Sequence, residues 1–242
     1  MVLSSFIRIS IIRFASLFYA SKKSKVIFYH DIHAGKQYTF QSTPIECFKK
    51  HIQIIRDNGY EIVEGITKPF GQIEISFDDG YLGIYDNIEV IKELNIPIHL
   101  FVISSFLGKE NYINTEQLII LNNLPQIKIS SHTHTHRLLN KIASECIKFE
   151  LFESKRKLEE ILKCKINAIC FPEGRFNKNV IEEAKKVGYM KQYTGIPGFC
   201  RKIDNLQKRS LVQFAREKEF KAILKGGDHI LAFWYKMKHF KK

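Results

Sequence analysis

The chain has 242 residues, of which 45% are hydrophobic and 26% are charged, as in an ordinary globular protein. This composition excludes a disordered chain, a coiled coil and a collagen-like repeat, and the length suits one domain of up to about 250 residues. Lys and Arg exceed Asp and Glu by 38 − 25 = 13. The excess favours an acidic partner such as nucleic acid, anionic lipid or an acidic polymer. No nucleic-acid motif accompanies it, so nucleic acid is not expected as a partner.

The cysteines are odd in number and widely spaced, and no two of them form a CxxC pair. This pattern argues against a disulfide framework or a structural zinc site, and favours small buried thiols in a reducing compartment. They are Cys47, Cys146, Cys164, Cys170 and Cys200.

Both ends of the chain are basic and rich in apolar residues. Arg8 and Arg13 interrupt the first apolar segment, which therefore suits neither a membrane span nor a signal peptide. We expect a basic amphipathic segment over residues 1–21, a domain over 22–227 and a basic aromatic tail over 228–242. Either end could contact an anionic membrane or pack on the domain. The lack of a recognisable signal peptide predicts a cytoplasmic protein, peripheral to the membrane if its ends bind lipid.

Between the ends, apolar strands alternate with helices, which predicts a parallel sheet covered by helices. A strand over residues 25–29 is followed by a helix over 44–58, which Ser42 or Thr43 could cap and Gly59 would end. The later predicted strands cover residues 73–77, 98–103, 127–130, 166–171, 190–194 and 210–213. The later predicted helices cover residues 85–94, 115–122, 144–163, 177–187 and 216–224.

Four of the predicted strands end in polar clusters. The clusters are residues 30–33 (HDIH), 78–81 (DDGY), 132–136 (HTHTH) and 172–175 (PEGR). The carboxyl ends of parallel strands in a barrel form one face, and active sites lie on that face. The four clusters therefore predict one shared cleft.

Two of these clusters carry the residues of a metal site. Asp78 and Asp79 leave their strand at a sharp turn, so one carboxylate could bind a metal while the other accepts a proton. His132 and His136 would share a face in a helix and could converge in a turn. Two imidazoles and one carboxylate make a three-ligand site with open positions for water. We expect His134, which lies between them, to face elsewhere.

At these motifs the chain resembles a known family. SFDDG (residues 76–80), SHTHTH (131–136) and FPEG (171–174) occur in the order and at the spacing of polysaccharide deacetylases of the chitooligosaccharide-deacetylase homology type. The resemblance covers about residues 26–224. It implies an α/β fold consisting of a single distorted (β/α) barrel of about seven parallel strands.

The resemblance also implies roles for individual residues. Asp78 matches the base that deprotonates water, while Asp79, His132 and His136 match the ligands of a divalent metal, most often zinc. The implied substrate is an N-acetylated carbohydrate, which would be split into acetate and an amino sugar. The residues assigned to the substrate or the oxyanion are Tyr81, Pro172, Glu173 and Gly174.

Three positions depart from the family pattern. An Arg that orients the catalytic Asp often stands two residues before the Pro of the third motif, but here that position is Cys170, with Arg209 as first substitute and Arg175 as second. Glu173 replaces an expected aromatic residue, and either points to solvent or lies near the oxyanion site. No Leu-x-His motif supplies a general acid, so His30 either lines the cleft in that role or is a core His hydrogen-bonded nearby.

These features predict a metal-dependent hydrolase that removes N-acetyl groups from an amino sugar in a cell-surface polysaccharide or its precursor. Because the motif Arg and the general acid are displaced, the alternative is a catalytically weak or inactive carbohydrate-binding relative of the deacetylases.

Overall fold

Alternating buried strands and amphipathic helices build one parallel sheet with helices packed against it. The computed structural model describes residues 5–18, 22–200, 205–233 and 235. The strands are β1 (Lys25–Tyr29), β2 (Asp31–His33), β3 (Ser42–Pro44), β4 (Glu61–Val63), β5 (Gln72–Phe77), β6 (Ile98–Val102), β7 (Ile127–Ser131), β8 (Ala168–Cys170), β9 (Lys191–Tyr193), β10 (Leu206–Gln207) and β11 (Arg209–Leu211).

The helices differ widely in length. They are α1 (Ser5–Ser16), α2 (Ile45–Asp57), α3 (Gly83–Asp86), α4 (Ile88–Leu94), α5 (Thr115–Asn122), α6 (Ser144–Leu162), α7 (Lys178–Val187) and α8 (Glu217–Leu224). Short 3-10 helices cover Leu139–Lys141, Pro172–Gly174 and Gly227–Leu231.

The main sheet curls into a distorted barrel. Its order is β10-β9-β8-β7-β6-β5-β1-β11, with β4 beside the start of β5, and all of its strand pairs are parallel. One residue, Lys208, separates β10, which pairs with β9, from β11, which pairs with β1. The chain itself thereby joins the two ends of the sheet. Counting β10 and β11 as one strand and setting β4 aside gives seven strands, which confirms the predicted α/β barrel.

The central strands are buried on both faces, as expected for parallel strands covered by helices. Every residue of β1, β5 and β6 is buried. Helices α2 and α7 are strongly amphipathic and turn residues such as Phe48 and Val180 toward this core. The strand ends are therefore held in a rigid frame.

The structure corrects several local predictions and confirms the one made for Gly59. Neither Ser42 nor Thr43 caps α2, because both belong to β3, which pairs with β2. Gly59 adopts the predicted left-handed conformation just after the helix, with φ +68°. The helix predicted over residues 85–94 is broken at Asn87 into α3 and α4. Strands β2, β3, β4 and β10 went unpredicted because two or three residues are too few for a hydrophobic period.

All five cysteines are free, in agreement with the prediction of no disulfide framework. Cys170 and Cys200 are buried as expected, whereas Cys164 is exposed.

Helix α1 occupies most of the segment predicted over residues 1–21. It packs on α8 and on the 3-10 helix Gly227–Leu231. Residues 1–4 and 19–21 of that segment, and residues 234 and 236–242 of the predicted tail, lie outside the described residues. Within the described ranges, no helix has the length and apolar character needed to cross a membrane.

Candidate active site

The carboxyl ends of β1, β5, β7 and β8 border one cleft with a volume of about 460 Å³. Among its lining residues are His30 after β1, Asp78 and Asp79 after β5, His132 and His136 after β7, and Glu173 and Gly174 after β8. The strand-end clusters found in the sequence thus meet in space. Arg209 of β11 lines the same cleft.

The turn after β5 brings two neighbouring carboxylates to the same cleft. Asp79 has φ +75° and Gly80 has φ +81°, so two successive residues are left-handed. In an extended strand the two side chains would point to opposite faces. Asp tolerates the left-handed conformation better than most residues, and holding it there costs on the order of 1 kcal/mol. The strained backbone conformation is therefore that of Asp79, whose carboxylate faces His132 and His136.

The segment after β7 is a turn rather than a helix. Thr133 has φ +69° and His136 has φ +62°. The rings of His132 and His136 lie 4.9 Å apart, and their Nε2 atoms lie 3.3 and 3.5 Å from Oδ1 of Asp79. His134 takes a different direction, with its Nδ1 2.9 Å from a serine hydroxyl after β6.

The donor set of Asp79, His132 and His136 fits a divalent metal. Oδ1 of Asp79 is buried and has no hydrogen-bond partner within the described part of the chain. Nδ1 of His132 lies 2.8 Å from the carbonyl oxygen of Cys170, so Nδ1–H donates there and Nε2 is the ligand atom that faces Asp79. The three ligand atoms lie within 4.8 Å of one another. One carboxylate and two imidazoles with open positions suit zinc.

At neutral pH, two of the three groups carry the charge that a metal requires. Burial acts to lower the pKa of His132, but Cys170, Asp78 and Asp79 outweigh it and raise the pKa well above its ordinary value, so a metal would displace a proton from this ring. Burial lowers the pKa of His136 to about 4, and the neighbouring His132 acts in the same direction. Burial raises the pKa of Asp79, but the nearby histidines outweigh it, and the pKa lies below its ordinary value. Asp79 is therefore a carboxylate and His136 a neutral imidazole at pH 7, as metal binding needs.

A second group of possible ligands, Asp78, His132 and Cys170, also lies within 4.8 Å. Both oxygens of Asp78 already accept hydrogen bonds from Arg209, and Nδ1 of His132 is bonded to a carbonyl. This group is therefore the poorer metal site.

Arg209 holds Asp78 in a buried bidentate ion pair. Its Nη1 lies 2.6 Å from Oδ1 and its Nη2 lies 2.7 Å from Oδ2. Burial would raise the pKa of Asp78, but the Arg209 guanidinium overcomes that effect and holds the pKa well below its usual range. Arg209 also donates from Nε to the carbonyl of Thr194 at 3.1 Å and lies over the ring of Phe28. Asp78 is thus ionised and fixed in orientation.

The sequence profile of the family described as Polysaccharide deacetylase matches residues 65–191, which is more than half of the chain. The chain belongs to the polysaccharide deacetylase family. Protein YxkH of Bacillus subtilis (strain 168), whose name describes it as a candidate polysaccharide deacetylase, is 28% identical over 189 residues. That match covers 73% of this chain and 66% of YxkH, so the chain spans slightly less than two thirds of this relative.

Solved structures of polysaccharide deacetylases share the fold. BC0361, a polysaccharide deacetylase from Bacillus cereus, superimposes with a TM-score of 0.72 at 25% identity, covering 85% of this chain and 69% of that one. IcaB from Ammonifex degensii superimposes with a TM-score of 0.75, covering 86% and 97% of the two chains. At 18% identity the likeness to IcaB concerns the fold alone.

In this member of the polysaccharide deacetylase family, Cys170 occupies the position where an Arg was expected. Its Sγ lies 2.8 Å from Nη2 of Arg209 and 3.8 Å from Oδ2 of Asp78. The small thiol leaves room for the guanidinium that arrives from β11. Arg175, the second candidate, instead pairs with Glu173 at 3.1 Å.

The third motif has one backbone donor left for an oxyanion. Pro172 has no N–H, and the N–H of Gly174 donates to the carbonyl of Phe171 at 2.8 Å. The N–H of Glu173, whose φ is +52°, has no acceptor among the described residues. The Glu173 side chain is exposed, and Pro172 is buried and does not line the cleft.

Two predicted site residues have neighbours that the sequence did not suggest. Nδ1 of His30 lies 2.5 Å from Oε1 of Gln213, and both residues line the cleft. Tyr81 stacks on Tyr112 at 4.7 Å and is not among the lining residues. Sequence reasoning missed Gln213 and the aromatic lining residue Phe40, because neither belongs to a motif.

Proposed function

We propose that this protein is a metal-dependent hydrolase that removes N-acetyl groups from an amino sugar in a polysaccharide or its precursor. The observation that carries the proposal is the buried Oδ1 of Asp79, which lacks a hydrogen-bond partner among the described residues and faces the Nε2 atoms of His132 and His136. Family membership supports the reaction class.

Asp79, His132 and His136 would hold the ion, and zinc suits their donor set. When bound, such an ion polarises the acetyl carbonyl and makes the attacking water more acidic. The hydrogen bond from His132 to the carbonyl of Cys170 fixes the ring so that Nε2 stays directed at Asp79.

Asp78 would accept the proton of the attacking water. Arg209 occupies one lone pair on each carboxylate oxygen, so further lone pairs remain for a water molecule. The same ion pair fixes the plane of the carboxylate, which keeps the accepting atom in place as charge develops. Arg209 is thus a positioning residue.

His30 would donate the proton that the leaving amine needs. Since Nδ1 of His30 is bonded to Gln213, Nε2 is the atom that could deliver a proton to the leaving amine. The N–H of Glu173 would stabilise the oxyanion, and the exposed Phe40 and Phe214 at the cleft would stack on the sugar rings.

The test measures acetate release from N-acetylated amino-sugar oligomers together with metal content. We expect Asp78→Asn to retain metal and lose at least about 100-fold in kcat, since general base catalysis contributes that much. Asp79→Asn should lose the metal as well. Asp57→Asn, an exposed carboxylate on α2, is the matched control.

The outcome that overturns the proposal is a metal-loaded wild-type chain that binds these oligomers and releases no acetate from any of them. The chain would then be a carbohydrate-binding relative that has lost the reaction.

A further inference from the structure

Helix α1 is held on the domain by one face. Arg8 donates to Glu219 of α8 at 2.6 Å, and this carboxylate is buried. Ile12 is fully buried. Gly227 lets the helix approach closely, since a Cβ at this position would lie 2.0 Å from the carbonyl oxygen of Ile12. The inward face alone therefore docks the helix.

The outward face of α1 is also apolar. Ile7 and Phe14 are exposed, and Leu17 and Phe18 follow the helix with 73% of each residue exposed. Ile7 and Phe14 are seven residues apart, so they lie on one side of the helix, and the ring of Phe18 lies 5.3 Å from that of Phe14. A surface helix ordinarily turns a polar face to water, and an exposed apolar patch marks an interaction site.

A basic groove runs beside this patch. Its volume is about 520 Å³, and its cationic lining residues are Arg13 of α1 and Lys218, Lys221 and Lys225 at α8. Phe14 and Leu17 line it too. Lys221 pairs with Glu217 at 2.6 Å, whereas none of the ion pairs within the described ranges involves the other three cations. We call these residues the α1–α8 groove.

The acidic residues of α8 and of the 3-10 helix each pair with a cation: Glu217 with Lys221, Glu219 with Arg8 and Asp228 with Lys25. Residues 1–30 contain five Lys and Arg residues and no Asp or Glu, and residues 229–242 likewise contain no Asp or Glu. The 3-10 helix Gly227–Leu231 packs on α1, and the apolar Ile230 within it and Phe233 after it are exposed. Exposed apolar groups near both ends of the chain therefore lie on neighbouring elements.

We propose that the outward face of α1 and the α1–α8 groove dock the protein on an anionic lipid bilayer. Phe14, Leu17 and Phe18 enter the boundary between headgroups and acyl chains, while Arg13 and the lysines of the groove bind lipid phosphates. Arg8 and Ile12 of the same helix line the cleft of the candidate active site, so docking holds this cleft near the membrane surface. The proposal does not depend on the reaction.

The test is sedimentation of the full chain with vesicles of phosphatidylcholine alone or mixed with phosphatidylglycerol. We expect binding to the mixed vesicles that weakens with salt. The double variant Lys218→Glu/Lys225→Glu should lower the partition coefficient by at least about 25-fold, since each basic residue near an anionic surface contributes about five-fold. Phe14→Ser/Leu17→Ser should lower it by at least about ten-fold.

Matched controls distinguish binding through this surface from the nonspecific attraction of any protein with net charge +13 to anionic lipid. Phe149→Ser/Phe152→Ser removes two aromatic residues of similar exposure from α6. Lys178→Glu/Lys185→Glu on α7 changes the net charge by the same amount as the groove variant. Both controls should bind the mixed vesicles nearly as well as the wild type. Thermal unfolding midpoints should be preserved in all four variants.

The proposal is overturned if the wild type does not bind mixed vesicles, or if the controls lose as much binding as the groove and patch variants. It is also overturned if Phe14→Ser/Leu17→Ser dissociates a dimer in sedimentation equilibrium while vesicle binding is unchanged. In that case a second copy of the chain covers the apolar face.

Discussion

Arg209 and Asp78, 131 residues apart in the chain, meet in a buried ion pair with two parallel hydrogen bonds of 2.6 and 2.7 Å. β11 pairs with β1, which itself pairs with β5, so the arginine crosses the barrel interior to reach the residue after β5. The thiol of Cys170, 2.8 Å from Nη2, occupies the position at which the sequence resemblance led us to expect an arginine.

Removal of the guanidinium should affect both stability and activity. Arg209→Met leaves the Asp78 carboxylate buried without its partner, which should lower the free energy of unfolding by about 3–5 kcal/mol. Arg209→Lys keeps the charge and loses the bidentate geometry, so its kcat should lie between that of Arg209→Met and that of the wild type. Chemical denaturation and acetate release measure the two effects. Arg156→Met, which breaks two exposed ion pairs on α6, should lower the free energy of unfolding far less than Arg209→Met does. Equal costs would contradict the role of Arg209.

Moving the arginine tests whether its position in the chain matters. In the Arg209→Ala background, Cys170→Arg should recover part of kcat, since the guanidinium then reaches Asp78 from β8. Cys170→Arg alone should destabilise the fold by about 1–3 kcal/mol, because two arginines would compete for the same buried space. A double variant no more active than Arg209→Ala would show that only β11 can orient Asp78.

Removal of the metal should be reversible. Dialysis against a chelator should abolish acetate release and lower the thermal unfolding midpoint, since an ion bound only by the folded state stabilises it, and added zinc should restore both. His136→Ala should bind no zinc in atomic absorption measurements. His134→Ala should keep about one ion per chain, because its ring bonds to Ser104 instead. Full activity in a metal-free preparation would rule out the mechanism.

The loop after β8 depends on the absence of a side chain at residue 174. A Cβ on Gly174 would lie 2.2 Å from the backbone nitrogen of Gly195, and its φ is +63°. Gly174→Ala should therefore lower the free energy of unfolding by about 2–4 kcal/mol and reduce kcat. Gly35→Ala, where no atom lies within 4 Å, should change stability by less than about 0.5 kcal/mol. Similar effects in both variants, measured by urea unfolding, would show that this close approach is unimportant.

The buried carboxyl group of Asp31 should make stability depend on pH. Burial raises its pKa from 3.8 to about 7, and Asp86 acts in the same direction. Between these two values the folded state holds a proton that the unfolded state has lost, so stability falls as pH rises. Asp31→Asn should match the wild type near pH 4 and exceed it by up to about 4 kcal/mol at pH 8.

Urea unfolding at several pH values measures this difference. The Asp57→Asn variant, which removes an exposed carboxylate from α2, is the matched control. A pH-independent difference for Asp31→Asn would mean that Asp31 is ionised in the folded protein.

The sequence by itself determined the fold class and the contents of the site. The strand at residues 26–29 is recognisable because burial on both faces favours a continuous apolar run, and parallel strands bring their carboxyl ends together. Adjacent Asp78 and Asp79, and histidines four residues apart, therefore identified the groups that meet in the cleft.

Only the tertiary structure decided how those groups are held. Local propensity does not reveal that Asp79 and His136 are left-handed, since the surrounding contacts impose that strained conformation. Nor does a motif reveal that Arg209, rather than Arg175, reaches Asp78, because this depends on strand order across the barrel. The basic charge was visible in the composition, but its position beside an exposed apolar helix face became visible only once α1 was packed against Gly227.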